Sequence, residues 1–301
     1  MYYRSLNEEL REKFGEKLYK LALDGGFTCP NRDGTIGSRG CTFCLGGSGS
    51  FAEGKCASVS EQIERAKRRV EKKNPSGKYI AYFQSYTNTY APVERLAALF
   101  GEAIAHPDVA ALSVGTRPDC LPPEVLELLA RLNKIKPVWV ELGLQTIHEQ
   151  TAEKIRRGYD LSVFDKAVKG CKAAGLYTVV HMIIGLPGET AEMAAQTADY
   201  IGKSGADGIK LQLLHVLRGT DMAEQYAAGE FEVMSMEEYI SALEECVRRL
   251  PPQMTVHRLT GDGDKKYLIA PLWSADKKRV LNAVNGAFRR DNVVQGERYE
   301  V

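Results

Sequence analysis

The sequence predicts an α/β fold in which six strand–helix units form a parallel sheet curling into a partial TIM-like barrel, with a mostly helical C-terminal extension. Three observations predict it. Short apolar runs alternate with amphipathic stretches of helical length over most of the chain, the order that joins parallel strands through helices. The stretch 176–184 is dominated by β-branched and other apolar residues, as expected of a strand covered on both faces. A loop rich in Gly, Asn and Asp follows the first strand directly and carries three cysteines. That is the end of a strand where barrels place their chemistry.

In order, residues 17–24 read as the first strand, with Leu18, Tyr19, Leu21 and Leu23 running into the cysteine loop. Ser58 or Ser60 caps a helix reaching Lys73, with Glu61 and Glu64 early and basic residues late, as the helix dipole favours. Strand 78–84 leads to helix 92–105, which Pro92 opens. Strand 109–114 and helix 122–132 form the third unit, and strand 138–144 precedes helices near 148–156 and 162–174. Gly175 stands where a helix stop belongs. Strand 176–184, helix 190–203 and strand 208–214 complete the sheet. The expected division is a barrel over 1–220, its cysteine loop at 25–54, and an extension over 221–301 packing on it.

The chain of 301 residues is 44% hydrophobic, enough for a large core, and its net charge of +1 neither requires nor excludes a nucleic-acid partner. No apolar run is long enough to span a bilayer, and no basic-then-apolar leader is visible, so a cytoplasmic protein without a membrane partner is expected. The seven cysteines are odd in number and loosely spread, a pattern of reduced thiols more than of a disulfide framework.

Cys29, Cys41 and Cys44 follow a C-x11-C-x2-C spacing on that flexible loop. Soft thiolates there can wrap a metal centre. A structural zinc takes four ligands, whereas three thiolates leave one iron of a [4Fe–4S] cluster open; from spacing alone, a zinc loop with a distant fourth ligand stays an alternative. Glu141 lies within an otherwise apolar strand, where a carboxylate is costly unless paired. His181 and Lys210 are polar residues inside the fifth and sixth strands, and alternation puts Lys210 and Gln212 on one face. Cys171 and Cys246 read as small buried hydrophobes, and Cys56 sits close to the loop.

With these features in order, the chain resembles the radical SAM superfamily, in the group typified by YhcC and YtqA and related to the radical SAM part of the Elongator catalytic subunit. The resemblance spans nearly the whole chain. It rests on the cysteine loop, on 46–51 and 82–90, on Gly115-Thr116-Arg117-Pro118-Asp119, on Glu141-Leu142-Gly143-Leu144-Gln145-Thr146, on Arg156-Arg157-Gly158, on 181–190, and on 257–262. Two departures from the wider superfamily stand out: the first cysteine gap is x11, which this group shares, and Gln84-Ser85-Tyr86-Thr87 replaces the usual Gly-Gly-Glu.

The resemblance implies that Cys29, Cys41 and Cys44 ligate three irons of a [4Fe–4S] cluster and that S-adenosylmethionine (SAM) chelates the fourth. Reductive cleavage of SAM would then free a 5′-deoxyadenosyl radical. It further implies that Glu141 receives the SAM ribose hydroxyls and that Arg156, or its neighbour Arg157, pairs with the SAM carboxylate. Ser85 and Thr87 are the candidates for the SAM amino group, Gln84, Gln145 and Ser113 for the same cofactor pocket, and His181 and Lys210 for catalysis or substrate binding. The implied partners are tRNA, through the C5 side chain of its wobble uridine, and an external electron donor of flavodoxin or ferredoxin type. A radical SAM oxidoreductase acting on a small molecule such as a tetrapyrrole is the rival enzyme reading, and a non-enzymatic metal-binding module on nucleic acid the rival of another class. The basic run 65–73 and the tail lysines and arginines from 265 to 290 are candidate phosphate contacts, with Tyr267 and Trp273 candidate stacking residues.

Overall fold

A computed structural model describes residues 2–47, 52, 58–74, 77–261 and 263–300. Cys56, residues 48–51 of the glycine segment and position 262 lie outside the described residues. The elements run α1 (Leu6–Phe14), β1 (Tyr19–Leu23), α2 (Val59–Val70), β2 (Tyr79–Phe83), α3 (Val93–Ala105), β3 (Val109–Thr116), α4 (Pro123–Asn133), β4 (Val138–Gln145), α5 (Glu149–Lys154), α6 (Leu161–Ala173), β5 (Tyr177–Ile184), α7 (Ala191–Lys203) and β6 (Gly208–Leu213). There follow β7 (Val216–Leu217), α8 (Asp221–Ala227), α9 (Met236–Arg248), β8 (Thr255–Arg258), β9 (Leu268–Ala270) and α10 (Lys277–Arg290).

The strands β1-β2-β3-β4-β5-β6-β8 form one sheet in that order, every neighbouring pair parallel. The six expected strands are all present, and the partial barrel carries one more: β8, reached through α9, pairs with β6. β8 has only four residues, three of them polar, so no apolar run announces it. The extension thus contributes a strand as well as helices.

Alternation divides the strand residues into two sets. Leu21, Leu23, Phe83, Val114, Leu142, Val180 and Met182 pack outward into the main core with residues of α2, α3, α4, α6 and α7. Lys20, Tyr82, Ser113, Glu141, His181 and Lys210 turn inward and meet one another. The end of the barrel away from the cysteine loop is plugged by Leu10 of α1 against Leu18, Ile80, Ala111 and Trp139. α1 begins with a reciprocal capping box, Ser5 and Glu8 each holding the other's backbone N–H. The plug therefore leaves the strands' C-terminal ends as the open mouth.

Candidate active site

The cysteine loop is shaped by its own backbone. Arg32 N–H and Asp33 N–H donate to Cys29 O at 2.8 and 3.1 Å, Gly40 N–H donates to Asn31 O at 2.7 Å, and Cys44 N–H returns to Cys41 O at 3.0 Å. Gly40 has φ +73°, and a Cβ there would lie 2.7 Å from Arg32 Nε, so only glycine suits the turn. Two further bonds tie the loop to the barrel mouth: Thr87 N–H donates to Thr28 O at 3.1 Å and Thr42 N–H to Ile155 O at 3.1 Å.

All three cysteines of the loop are half-buried free thiols, and Cys120, Cys171 and Cys246 are buried. Cys29, Cys41 and Cys44 line one cavity at the barrel mouth together with Gln84, Thr87, Glu141, Gln145, Arg157 and His181. Thr116 and Arg117 complete that wall. Burial, reinforced by the nearby Cys44, pushes the Cys41 thiol up to about 11. Cys41 is thus held as a neutral thiol that gives up its proton when a metal binds.

The remaining sequence candidates divide. Ser85 is fully buried outside the cavity lining, and Ser113 donates to Glu141 Oε1 at 2.6 Å. Lys210 sits one chamber deeper. Arg156 also lies outside the lining: its Nε donates to Gly40 O at 2.9 Å and its guanidinium pairs with Asp221, which Arg39 also holds at 2.8 Å. Arg157, by contrast, is 2% exposed and reaches the cavity while donating to Thr146 O at 2.6 Å and to Glu149. Adjacent arginines point to different tasks because Arg156 takes φ +54° and turns the chain between them. Arg156→Ala should loosen the loop. We expect faster proteolysis within residues 29–47, with a stability loss of roughly 1 kcal/mol because the pair is partly exposed; unchanged cleavage would show that the pair does not fasten the loop.

Three of the four described non-glycine residues with positive φ, namely Tyr86, Gln145 and Arg156, border this site, where strained backbone is held in place by its surroundings. Gln145 follows a register shift at the end of β4. Its Oε1 is buried without a hydrogen-bond partner, and a Cβ on Gly143 would come within 2.8 Å of its Nε2. The glycine makes room for an amide whose oxygen lacks a partner among the described residues. Gly46 and Gly47 approach the ring of Tyr86, to which a Cβ would stand at 3.4 and 3.5 Å. Phe43, between the last two cysteines, packs with Ile155, Ile183, Leu186, Leu214 and Met222 and walls the mouth.

Beneath the mouth, Glu141 is the hub of a buried charge cluster. Lys20 pairs with Oε1 and Lys210 with Oε2, and His181 Nε2 lies 2.7 Å from Oε2. Burial alone would raise the Glu141 carboxyl, but Lys20, Lys210 and His181 hold it well below the usual range. An ionised carboxylate only accepts, so Nε2 of His181 carries the hydrogen. Burial, helped by Lys210, brings His181 down to about 4 against the pull of Glu141. Burial likewise brings Lys210 down to about 7, with Lys20 and Arg258 adding to it.

A base with a depressed pKa binds fewer protons folded than unfolded, so its contribution is lost as pH falls from the unfolded value of about 6.5 towards about 4. His257, half-buried below the cluster, shifts in the same direction. The wild-type urea midpoint should therefore fall between about pH 6.5 and 5, and His181→Gln should fall less. Parallel losses in both would remove His181 from the account.

The fold and this mouth define a radical SAM protein, and the chain belongs to that superfamily: residues 33–201 match the Radical SAM superfamily, and residues 206–290 match the Radical_SAM C-terminal domain. It is 44% identical to YtqA of Bacillus subtilis over 99% of this chain and 93% of that protein. It is 30% identical to a tRNA uridine(34) acetyltransferase of Methanocaldococcus jannaschii, over 50% of this chain and 28% of that protein. Among solved structures, archaeal Elp3 of Methanocaldococcus infernus superimposes with a TM-score of 0.70 at 19% identity, covering 92% of this chain and 64% of that one. The protein is a radical SAM enzyme whose cofactors are a [4Fe–4S] cluster and SAM. The donor set suits both: three thiols on one loop, and a buried amide oxygen without a hydrogen-bond partner in the cavity that Glu141 also lines.

Among the described residues no helix is long and apolar enough to cross a membrane. Two surface expectations change. Trp273 is half-buried on Tyr239 with its Nε1 donating to Met234 O at 3.0 Å, so it is engaged by the protein and not presented for base stacking. Within the run 65–73, Arg65 pairs with Glu61 and Lys67 with Glu64 and Asp108, which offsets part of its charge.

Proposed function

We propose that this enzyme modifies the C5 side chain of the wobble uridine of tRNA, in the cytoplasm, drawing electrons from an external donor of flavodoxin or ferredoxin type. Cys29, Cys41 and Cys44 hold the cluster, and Arg157, Gln145, Gln84, Thr87 and Glu141 are the groups within reach of SAM. When bound, the reduced cluster and SAM supply a 5′-deoxyadenosyl radical that takes a hydrogen atom from the substrate. The chain's own part is to place atoms and keep water out: Phe43 walls the mouth, Gln145 offers an amide, and the Glu141 cluster fixes the polar floor.

The observation that carries the wobble-uridine reading is the shared half-chain with a tRNA uridine(34) acetyltransferase. The match spans half of this chain and 28% of that relative, and the proposal is confined to what the shared part supports. Nucleoside profiling of tRNA from a strain lacking the gene tests the reading. A wobble uridine stalled at a precursor side chain is expected, and an unchanged profile would overturn it.

A further inference from the structure

The chain between Cys29 and Cys41 leaves the cavity and returns to it, and two consecutive side chains within that gap turn back towards the other two cysteines. Asn31 is 5% exposed, and its Nδ2 donates to Arg156 O at 2.6 Å and to Cys41 Sγ at 3.5 Å. A carbonyl only accepts, so the nitrogen of this amide faces the pair, and its two hydrogens serve one acceptor each. Arg32, the next residue, lines the cavity with Cys29 and Cys44, and its Nη2 donates to Cys44 O. Burial works against its charge, and a Cys44 thiolate raises the guanidinium above its usual value, with Tyr86 and Cys29 adding to it.

The gap makes room for both side chains. A Cβ at Gly37 would lie 2.7 Å from Asn31 Oδ1, and one at Gly40 would lie 2.7 Å from Arg32 Nε and 2.9 Å from its Nη2. Each of these glycines thus stands where a larger residue would displace one of the two. The backbone of Asn31 is fixed as well, because its carbonyl accepts from Gly40 N–H at 2.7 Å. Arg117 also lines the cavity, but its guanidinium forks onto the Asp119 carboxylate at 2.9 and 2.7 Å, so its charge is answered there.

We propose that Asn31 and Arg32 set the reduction potential of the cluster, Asn31 through its amide N–H on the Cys41 sulfur and Arg32 through its charge beside Cys44. The inference is independent of the wobble-uridine reading and rests on Cys29, Cys41 and Cys44 being the ligands. One electron from an external donor makes the cluster more negative by one charge. A hydrogen bond to a ligand sulfur and a nearby cation favour that state and raise the potential. Both residues act through the cysteines, so they are positioning residues. The eleven-residue gap is then the length of chain that carries a donor to each of the other two thiolates.

The test is a potentiometric titration of the anaerobically reconstituted protein, without SAM, followed by electron paramagnetic resonance. Asn31→Asp keeps the shape of the side chain and removes the donor. It should lower the ratio of reduced to oxidised cluster at a fixed potential about tenfold, which is about 59 mV for one electron. Arg32→Gln should lower that ratio roughly three- to tenfold, and Arg32→Lys, which keeps the charge, by less. Thr35→Ala is the control: Thr35 lies in the same gap but is exposed and bonded to Tyr90 Oη at 2.9 Å, so the potential should stay at the wild-type value. Iron content is measured alongside, because a side chain that only shapes the loop changes how much cluster assembles and not the potential of what assembles. If Asn31→Asp assembles no cluster, Asn31→Ser decides, with a smaller fall expected. A wild type that takes up no iron–sulfur cluster would remove the ligand assignment and this proposal with it. A wild type that holds the cluster, with both sets of variants at its potential, would overturn the proposal and leave the ligands standing; so would Asn31 variants that never assemble a cluster beside an unshifted Arg32→Gln. A shift confined to one residue overturns the part given to the other.

Discussion

Cys41→Ala is expected to lower iron in the anaerobically reconstituted protein from about four atoms per chain to below about one, and SAM cleavage should fall to background. The physical reason is the loop's economy. Its three thiols lie within residues 29–44 on a backbone already closed by the bonds from Arg32, Asp33, Gly40 and Cys44, so the donors are brought to one cavity before any metal arrives. Losing one leaves two, too few to hold a cluster against solvent. Cys171→Ala is the internal control. Cys171 is fully buried in the main core beside Phe164 and Val168, so its loss should cost stability without touching iron content. Equal loss of iron in the two variants would mean that the thiols of the loop are not the ligands.

Glu141→Gln is expected to have the largest effect on stability of any single change at the site, about 3–5 kcal/mol. In a protein of this size that corresponds to a melting temperature lower by roughly 6–20 °C. Glutamine keeps the shape of the side chain but removes the one charge that Lys20, Lys210 and the His181 ring converge upon. The buried Lys210 ammonium and the partly buried Lys20 ammonium would then face each other across a neutral amide. Removing Lys210 as well should relieve part of this. The double variant Glu141→Gln/Lys210→Met is expected to be less destabilised than the sum of the two single variants, a coupling of about 1–3 kcal/mol. Simple additivity would show that the two groups do not sense each other.

Much of the fold could be read because buried parallel strands declare themselves as apolar runs. The stretches 78–84, 138–144 and 176–184 needed only their composition to be placed, and β2, β4 and β5 lie within a residue or two of them. Gly175, read as a helix stop, has φ +69° just beyond α6. β8 was hidden because Thr255–Arg258 is too short and too polar to signal burial, and it forms only because β6 offers it an edge. α1 had a readable signal in Ser5-x-x-Glu8, the capping box, in a stretch otherwise crowded with charge.

At the site, the cysteines were legible from spacing and Glu141 from a lone acid within apolar neighbours. Its partner Lys20 was not: on β1 a lysine among tyrosine and alanine looks like a solvent-facing residue until the sheet curls and turns it inward. The division of labour between Arg156 and Arg157 was equally invisible. It is set by a left-handed backbone at Arg156, a property of the folded turn that two identical neighbouring side chains cannot reveal. Arg258 belongs to the interior only because β8 joins the sheet, so a reading that lacks β8 cannot place it there.

If the three thiols of one loop hold a [4Fe–4S] cluster, its fourth iron stays open to SAM at the barrel mouth. The direct measurement is the electron paramagnetic resonance spectrum of the reduced, reconstituted protein before and after SAM is added. With three protein ligands, SAM becomes a ligand of the cluster, and the spectrum should change on its addition at about one equivalent per chain. A spectrum untouched by saturating SAM, or a protein that takes up zinc alone and no iron, would contradict the account.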